Sequence, residues 1–253
     1  MTIVAFTSVR GGPGATTTAV ACAAVASERS NVLFVEADPT GGVLLGRCES
    51  LDGSRSLLQL AFPDRDDRGR PGTVLVEAAR QKLGDLDVIV APANPNQALE
   101  AVARSRSRWP QLLAELDATV VVDCGRLFPG TPATAVLRVA DVIVIVASPE
   151  AADVLAYVEW SAGGELEPIG AGRGPLLVSV GPGRFGEWHL TRELGASFAG
   201  NVAHAPAAVQ LLWRGTSTRH RSLARTPFVR SVASLTTTIE RVAHHRDRQV
   251  RAS

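Results

Sequence analysis

The stretch SVRGGPGATTT, residues 8–18, directly follows the apolar run TIVAF at residues 2–6. A glycine-rich loop between a buried strand and a helix start can surround a phosphate, because its backbone N–H groups point inward and the helix N-terminus adds partial positive charge. The general phosphate-loop pattern G-x-x-x-x-G-K-[ST] has a lysine where this chain has Ala15. The only lysine of the chain is Lys82. The loop therefore has the shape of a nucleotide site without its main cation.

Some residues around Ala15 favour a phosphate loop, and one argues against it. Thr16 and Thr17 keep the hydroxyl that holds Mg²⁺ at the helix start in such loops. Pro13 removes one N–H group from the loop, because proline has no backbone donor. The alternative interpretation is a strand–turn–helix corner in which the glycines serve only close packing.

Composition limits the class of protein. The chain has 253 residues, 45% of them hydrophobic, and a formal net charge of +1. Its three cysteines show no C-x-x-C spacing and no histidine partners, which argues against a disulfide framework or a zinc site. No signal-type or membrane-spanning apolar run occurs. We therefore expect a soluble cytoplasmic protein.

Strand-like and helix-like segments alternate along the chain. The predicted strands are rich in Val, Ile and Leu on both faces: Ile3–Thr7, Val32–Glu36, Val88–Pro92, Thr119–Asp123, Val142–Ala147 and Leu176–Val180. The predicted helices are Thr16–Ser27, Ala98–Leu116, Thr131–Val139, Ala151–Trp160 and Glu187–Leu194. This alternation predicts a doubly wound, mostly parallel α/β sheet flanked by helices. One domain, residues 1–253, is expected, with an exposed charged insertion at about 52–72.

Two acidic residues follow predicted strands. Asp38 lies just after the strand at 32–36, and Asp123 ends the strand at 119–123. In a parallel sheet the carboxyl ends of the strands meet at one edge, where phosphates and Mg²⁺ bind. Asp123 suits the role of the acid that organises Mg²⁺, and Asp38 that of a residue orienting a water for hydrolysis. The alternative is that both aspartates only open turns.

On these residues the chain resembles the ParA/MinD family of deviant Walker-A P-loop ATPases. The family's K-G-G-x-G-K-[ST]-T loop corresponds to RGGPGATT at residues 10–17, and its D-x-D-P stretch to EADP at 36–39. The Walker B strand corresponds to VVVD at 120–123, and the closing segment to residues 202–232. The resemblance extends over nearly the whole chain and implies the P-loop NTPase fold.

The resemblance also implies a site for ATP or ADP with Mg²⁺. It assigns Mg²⁺ to Thr16 and Asp123, and water orientation to Asp38 if hydrolysis persists. It assigns nucleotide binding to Arg10, Gly11, Gly12, Pro13, Gly14, Ala15, Thr16, Thr17 and Pro206. The family's signature lysine is Arg10 here and its loop lysine is Ala15, departures that resemble the CpaE/TadZ branch. No base-reading asparagine is evident in LVSV at residues 177–180.

Two functions are compatible with this loop. The first is a degenerate, pseudo-ATPase scaffold that dimerises over the phosphate-loop edge and positions DNA, a pilus or a division complex through a protein partner of a positioning or secretion/pilus system. The alternative is a slow Mg-ATPase that switches between monomer and dimer on ATP binding and hydrolysis. Loss of one preorganised cation costs ~10² to 10³ in rate, so we expect hydrolysis to be weak or absent.

The carboxyl-terminal segment, about 204–253, is predicted to be basic and helical. It carries nine arginines and only two acids, Glu240 and Asp247. Non-specific DNA binding by phosphate neutralisation is one interpretation, and a plain solvated face is the other, because 25 of the chain's 26 basic residues are arginine. Only Val250 near the chain end is available for membrane insertion, so no stable membrane anchor is expected.

Overall fold

Short apolar runs form the strands of the sheet. The computed structural model describes residues 2–12, 14–62, 72–105, 116–162, 174–194 and 198–250. Within these ranges the strands are β1 Thr2–Ser8, β2 Val32–Glu36, β3 Gln81–Leu83, β4 Leu86–Ile89, β5 Thr119–Arg126, β6 Val142–Ala147, β7 Leu176–Val180 and β8 Phe198–Val202.

Helices connect the strands and cover both faces of the sheet. Those in the described ranges are α1 Ala15–Ser27, α2 Leu44–Arg47, α3 Leu57–Ala61, α4 Gly72–Ala79, α5 Pro95–Ser105, α6 Thr134–Val139, α7 Ala151–Ala162, α8 Glu187–Leu194, α9 Pro206–Trp213, α10 Arg221–Ala224 and α11 Pro227–Val250. Helix α3 begins with a full capping box, in which the Ser56 side chain accepts from the helix and Gln59 reaches back to the Ser56 N–H group.

The strands form one sheet in the order β3-β4-β2-β5-β1-β6-β7-β8. All neighbouring pairs are parallel except β3 and β4, which form an antiparallel hairpin at the edge. Strand β1 lies between β5 and β6, so the loop that follows it opens at the centre of the sheet. The carboxyl ends of β1, β2 and β5 therefore meet at one edge, where ligands bind in open α/β sheets.

Alternating side chains of the central strands separate two apolar cores. In β1, Val4 and Phe6 pack with α1 and α11, whereas Ile3 and Ala5 pack in the opposite cluster. Because side chains alternate with a period of two, a strand covered by helices on both faces must be apolar throughout. This pattern explains why the central strands could be located from the sequence.

The predicted fold class is confirmed, with two additions and one correction. Strands β3 and β8 were not predicted. The expected exposed insertion at about 52–72 is exposed at residues 52–55 but not in α3, where Leu57 and Leu60 are buried in the core. Residues 63–71 of that insertion lie outside the described residues, as do residues 106–115 of the helix expected to reach Leu116.

A close contact between two loops holds the β3–β4 hairpin to the segment after α9. Gly84, with a φ of 59°, lies against Gly215, whose φ is 74°. A Cβ on Gly84 would overlap the carbonyl oxygen of Gly215, and a Cβ on Gly215 would lie 2.8 Å from the Gly84 nitrogen. Either loop could relieve such an overlap only by moving the hairpin away from the segment after α9.

We predict that Gly84→Ala lowers the free energy of unfolding by more than about 2 kcal/mol, since it combines a positive φ with a backbone clash. The measurement is urea-induced unfolding followed by circular dichroism. Gly46→Ala is the matched control, because a Cβ on this α2 residue meets no atom within 4 Å and its φ is not positive. Equal stabilities of the two variants would contradict the role given to this contact.

Candidate functional site

The glycine-rich loop leaves β1 at Ser8 and enters α1 at Ala15. Gly12 and Gly14 have φ angles of 93° and 85°, which L-residues with side chains rarely adopt. The Gly14 carbonyl accepts the Thr18 N–H at 2.9 Å and begins the helix. The first N–H groups of α1 consequently have no intrahelical acceptor, and they form the positive end of the helix. Pro13 lies outside the described residues.

The structure places no lysine near this helix start. Ala15 is 9% exposed and occupies the first turn. Lys82 lies on β3, with β4, β2 and β5 between it and β1, and its Nζ is 3.0 Å from Asp87 Oδ1. It therefore cannot replace the missing loop cation.

Asp123 is a fully buried acid at the carboxyl end of β5. Its Oδ1 accepts the Gly125 N–H at 3.0 Å, whereas its Oδ2 is buried without a hydrogen-bond partner among the described residues. Burial raises the pKa of Asp123 to about 6; the nearby Thr16 hydroxyl opposes this shift and the charge of Asp38 adds to it. A buried oxygen atom that lacks a donor is costly, and such groups are concentrated at functional sites.

Asp38 comes from β2 and meets the end of β5. Its Oδ1 accepts both the N–H and the hydroxyl of Thr40, each at 2.7 Å. Its carboxyl group covers the Cα of Gly125, where any Cβ would overlap it. The structure therefore brings Asp38, Asp123 and Thr16 together at the helix start.

Glu36, which lies two residues before Asp38, is a second buried acid. Its Oε1 accepts the N–H groups of Val43 and Leu44 at 2.6 and 3.1 Å, and its Oε2 accepts that of Ala91 at 3.0 Å. Burial raises the pKa of Glu36 to about 7, against the effect of these donors. Its carboxyl group thus joins the loop before α2 to the segment after β4, a role that sequence reasoning did not foresee.

Two other expected site residues lie at the margins. Arg10 is exposed, and its Nε is 3.5 Å from Asp153 Oδ1 in α7 of the same chain. Pro206 is exposed at the start of α9, four residues after β8 ends. Val180 at the end of β7 lies next to Gly14, where a Cβ would be 3.6 Å from its Cγ1.

Sequence reasoning missed two polar residues at this edge. Asn201 of β8 donates from Nδ2 to Ser179 Oγ at 2.8 Å and to the Gly181 carbonyl at 3.0 Å, so an amide lies at the end of β7 after all. Arg126 follows Gly125 and extends along the loop, with its Cδ 3.9 Å from the position of a Cβ on Gly11. Asn201 is on a strand that was not predicted, and an arginine-rich sequence offers no signal that singles out Arg126.

The described ranges contain neither a membrane-spanning helix nor a cluster of metal-binding side chains. No helix there has the length and hydrophobicity needed to cross a bilayer. No group of three or more His, Cys, Asp or Glu side chains there is arranged to hold a metal ion. Asp123 and Thr16 nevertheless fit Mg²⁺ that arrives with phosphates, because such Mg²⁺ takes one or two protein oxygens and keeps several waters. The orphaned Oδ2 of Asp123 is the observation that supports this fit.

Comparison with known proteins identifies the fold. The sequence matches no protein-family model and no curated protein. A ParA family ATPase from Chlorobium tepidum TLS is similar in structure, with a TM-score of 0.75 and 17% identity over 93% of this chain and 97% of that one. The cell division ATPase MinD of Pyrococcus furiosus gives a TM-score of 0.74 and 17% identity, over 95% of this chain and 99% of MinD.

A third solved structure is a putative plasmid partition protein from Borrelia burgdorferi B31 bound to AMPPNP. It has a TM-score of 0.67 and 12% identity, over 95% of this chain and 98% of that one. At these identities the likeness shows the fold, which is that of the ParA/MinD P-loop NTPases. The placement in the CpaE/TadZ branch remains a prediction.

The raised pKa of Asp123 predicts that this residue lowers stability near neutral pH. Its folded-state pKa of about 6 lies above the ordinary 3.8, so the ionised carboxylate opposes folding above pH 6 and this effect fades as the pH falls. Asp123→Asn should therefore raise the free energy of unfolding by on the order of 3 kcal/mol at about pH 8 and about 1 kcal/mol at about pH 4.5. Urea unfolding without nucleotide or Mg²⁺ measures both values.

Asp85→Asn is the control for this prediction, because Asp85 is exposed in the β3–β4 turn and should change stability little at either pH. If Asp123→Asn is equally or less stable than the unaltered protein at about pH 8, the burial cost assigned to Asp123 is wrong.

Proposed function

We propose that this protein is a ParA/MinD-like nucleotide-binding protein that positions a cellular component and is impaired in hydrolysis. The observation that carries the proposal is the meeting of Asp38 and Asp123 at the glycine-rich loop, with Ala15 where the loop lysine belongs. The unpartnered Oδ2 of Asp123 supports a cation-dependent role, because a fold kept only for packing gains nothing from a buried charge.

In this proposal the backbone of the loop binds phosphate. The first N–H groups of α1 donate to ATP or ADP, and Gly11, Gly12 and Gly14 let the phosphates approach the backbone. Thr16 and Asp123 hold Mg²⁺, which would neutralise part of the phosphate charge when bound. Pro206, and with it Asn201 on the far side of β7, would contact the base in this proposal.

Loss of the lysine affects catalysis more than binding. A charge-assisted hydrogen bond contributes roughly 1.5–3 kcal/mol, so its absence weakens binding by about one to two orders of magnitude. Asp38 would orient water in a working enzyme, and its Oδ1 is already engaged by Thr40. We therefore favour a pseudo-ATPase over the alternative, a slow Mg-ATPase that switches between monomer and dimer.

Dimerisation over the phosphate-loop edge completes the proposal. Arg10 is at the position of the family's signature lysine. Its side chain is exposed and makes a single long ion pair, with the partly buried Asp153, so it could reorient toward a partner copy at small cost. This protein acts as a single domain in the cytoplasm. Its protein partner belongs to a positioning, secretion or pilus system.

Calorimetric titration of Mg·ATP tests nucleotide binding. The unaltered protein should bind, and Ala15→Lys should bind about ten- to a hundredfold more tightly, because it restores the missing charge-assisted bond. If only Ala15→Lys binds, the unaltered protein acts as a scaffold without nucleotide. Failure of both proteins to bind would contradict the nucleotide site itself.

Phosphate release under saturating Mg·ATP separates the pseudo-ATPase from the working enzyme. The proposal expects no turnover above background. Turnover that is abolished in Asp38→Ala and kept in Asp85→Ala, a matched exposed aspartate, would establish the alternative.

Non-specific DNA binding is a second candidate, favoured by the exposure of the carboxyl-terminal arginines. Arg219 pairs with Glu28, whereas no other exposed arginine between residues 204 and 245 makes an ion pair within the described ranges; these are Arg214, Arg221, Arg225, Arg230 and Arg241. Such unpaired charges can neutralise phosphates along a duplex and release counterions.

If DNA is bound, fluorescence anisotropy with a random duplex should show affinity falling steeply between about 50 and about 200 mM salt. Arg221→Gln combined with Arg225→Gln should reduce the logarithmic salt slope by about two, whereas Arg138→Gln on α6 should leave it unchanged. No binding at low salt, or a flat salt dependence, would remove this candidate and leave a solvated basic face.

A further inference from the structure

The loop needs a positive charge, and the structure offers two arginines near it. The helix start contributes partial charge only, while Glu36, Asp38 and Asp123 crowd the same edge of the sheet. Negative charge on these carboxyl groups repels a polyphosphate bound at this edge unless a cation offsets it. Arg10 and Arg126 are the neighbouring cations to be weighed.

The backbone of Arg126 is fixed to the first residue of the loop. Ser8 of β1 pairs in register with Arg126, and the Leu127 N–H donates to the Ser8 carbonyl at 2.7 Å. Phe6 pairs with Asp123, so β5 contains one extra residue between the two pairs. This bulge places Arg126, and not Gly125, opposite the loop, and bulges commonly redirect a side chain in this way.

The Arg126 side chain follows the loop and keeps its charged end available. Its Cδ lies in van der Waals range of the Cβ position of Gly11, so the aliphatic part runs beside the glycine-rich segment. The residue is exposed, and the described part of the chain gives its guanidinium no hydrogen bond and no ion pair. Arg10 differs, because Asp153 already engages its Nε.

A second observation ties this position to a ligand. Asp123, three residues before Arg126, is fully buried; its Oδ2 has no hydrogen-bond partner among the described residues, and its carboxyl group lies close to the Thr16 hydroxyl at the helix start. A cation held there with phosphate would place the phosphate between α1 and the end of β5. We propose that Arg126 supplies the phosphate-binding cation that the loop lacks at Ala15, an inference that rests on the nucleotide binding proposed above.

An arginine on β5 can bind phosphate in place of a lysine in the loop. Its planar guanidinium can donate two parallel hydrogen bonds to one phosphate, and it keeps its charge at any physiological pH. In this proposal the cation comes from β5 and not from the start of α1, and the bulge directs the Arg126 side chain along the loop. The site then retains affinity for nucleotide, but its cation has a different position relative to the reacting phosphate.

The test is calorimetric binding of Mg·ATP to Arg126→Ala, Arg10→Ala, Arg138→Ala, Ala15→Lys and the double variant Ala15→Lys with Arg126→Ala. Arg126→Ala should weaken binding at least tenfold, because a charge-assisted contact contributes that much or more. Arg10→Ala should weaken it less than about threefold, and Arg138→Ala should have no effect. The double variant should bind better than Arg126→Ala alone, since the restored lysine replaces the lost charge.

The outcomes separate this inference from the proposed function. Equal binding by the unaltered protein and Arg126→Ala would overturn the role of Arg126 and leave nucleotide binding intact. A larger loss in Arg10→Ala than in Arg126→Ala would also overturn it. Binding by Ala15→Lys but not by the unaltered protein would show that Arg126 does not compensate, whereas no binding by any variant would refute the nucleotide site. Rescue in the double variant excludes misfolding as the cause of a loss.

Discussion

The contact between the carboxyl group of Asp38 and the Cα of Gly125 determines how the carboxyl edge of the sheet is built. Gly125 has a φ of 63° and no room for a Cβ, so β5 makes a bulged turn at this residue, between the pairs Phe6–Asp123 and Ser8–Arg126, and the loop after β2 packs against it. The same turn provides the N–H that Asp123 accepts and contains the carbonyl that accepts the Thr7 hydroxyl at 2.8 Å. Strands β1, β2 and β5 are therefore coupled through one glycine.

Burial of negative charge is the cost of this arrangement. Glu36 is 1% exposed and Asp123 is fully buried, and desolvation raises the pKa of Glu36 to about 7 and that of Asp123 to about 6. Backbone N–H groups satisfy both Glu36 oxygens, whereas one Asp123 oxygen is left without a donor. The two acids thus differ physically: Glu36 holds a loop in place, whereas Asp123 has an oxygen that no backbone N–H group satisfies.

The sequence predicted the features that depend on local pattern. Strands apolar on both faces were located because burial on two sides leaves a continuous Val and Ile run, as at 142–147. Strand β3 was missed because an edge strand of three residues, QKL, carries no such run, and β8 because Gly200 and Asn201 interrupt it. Asp38 follows β2 as expected, whereas β5 runs three residues beyond Asp123, to Arg126; the two acids still lie at one edge, since parallel topology brings those strand ends together. The direction of the Arg10 side chain depends on Asp153 of α7, and that of Arg126 depends on the bulge in β5. No local sequence pattern encodes either feature.

The absence of lysine from the loop changes the electrostatic requirements of the whole edge. In a phosphate loop with its lysine, one cation lies inside the helix start and offsets the nearby carboxylates before any ligand arrives. Here Ala15 is apolar and nearly buried, and the cations that remain are arginines on the rim, where solvent screens them. An anionic nucleotide would therefore depend for its affinity on Mg²⁺, on backbone donors and, in our proposal, on Arg126. In the proposed function, such a site would discriminate poorly between ground state and transition state, because screened rim charges are less preorganised than a buried one. This physical difference would leave nucleotide binding in place with most of the rate enhancement lost.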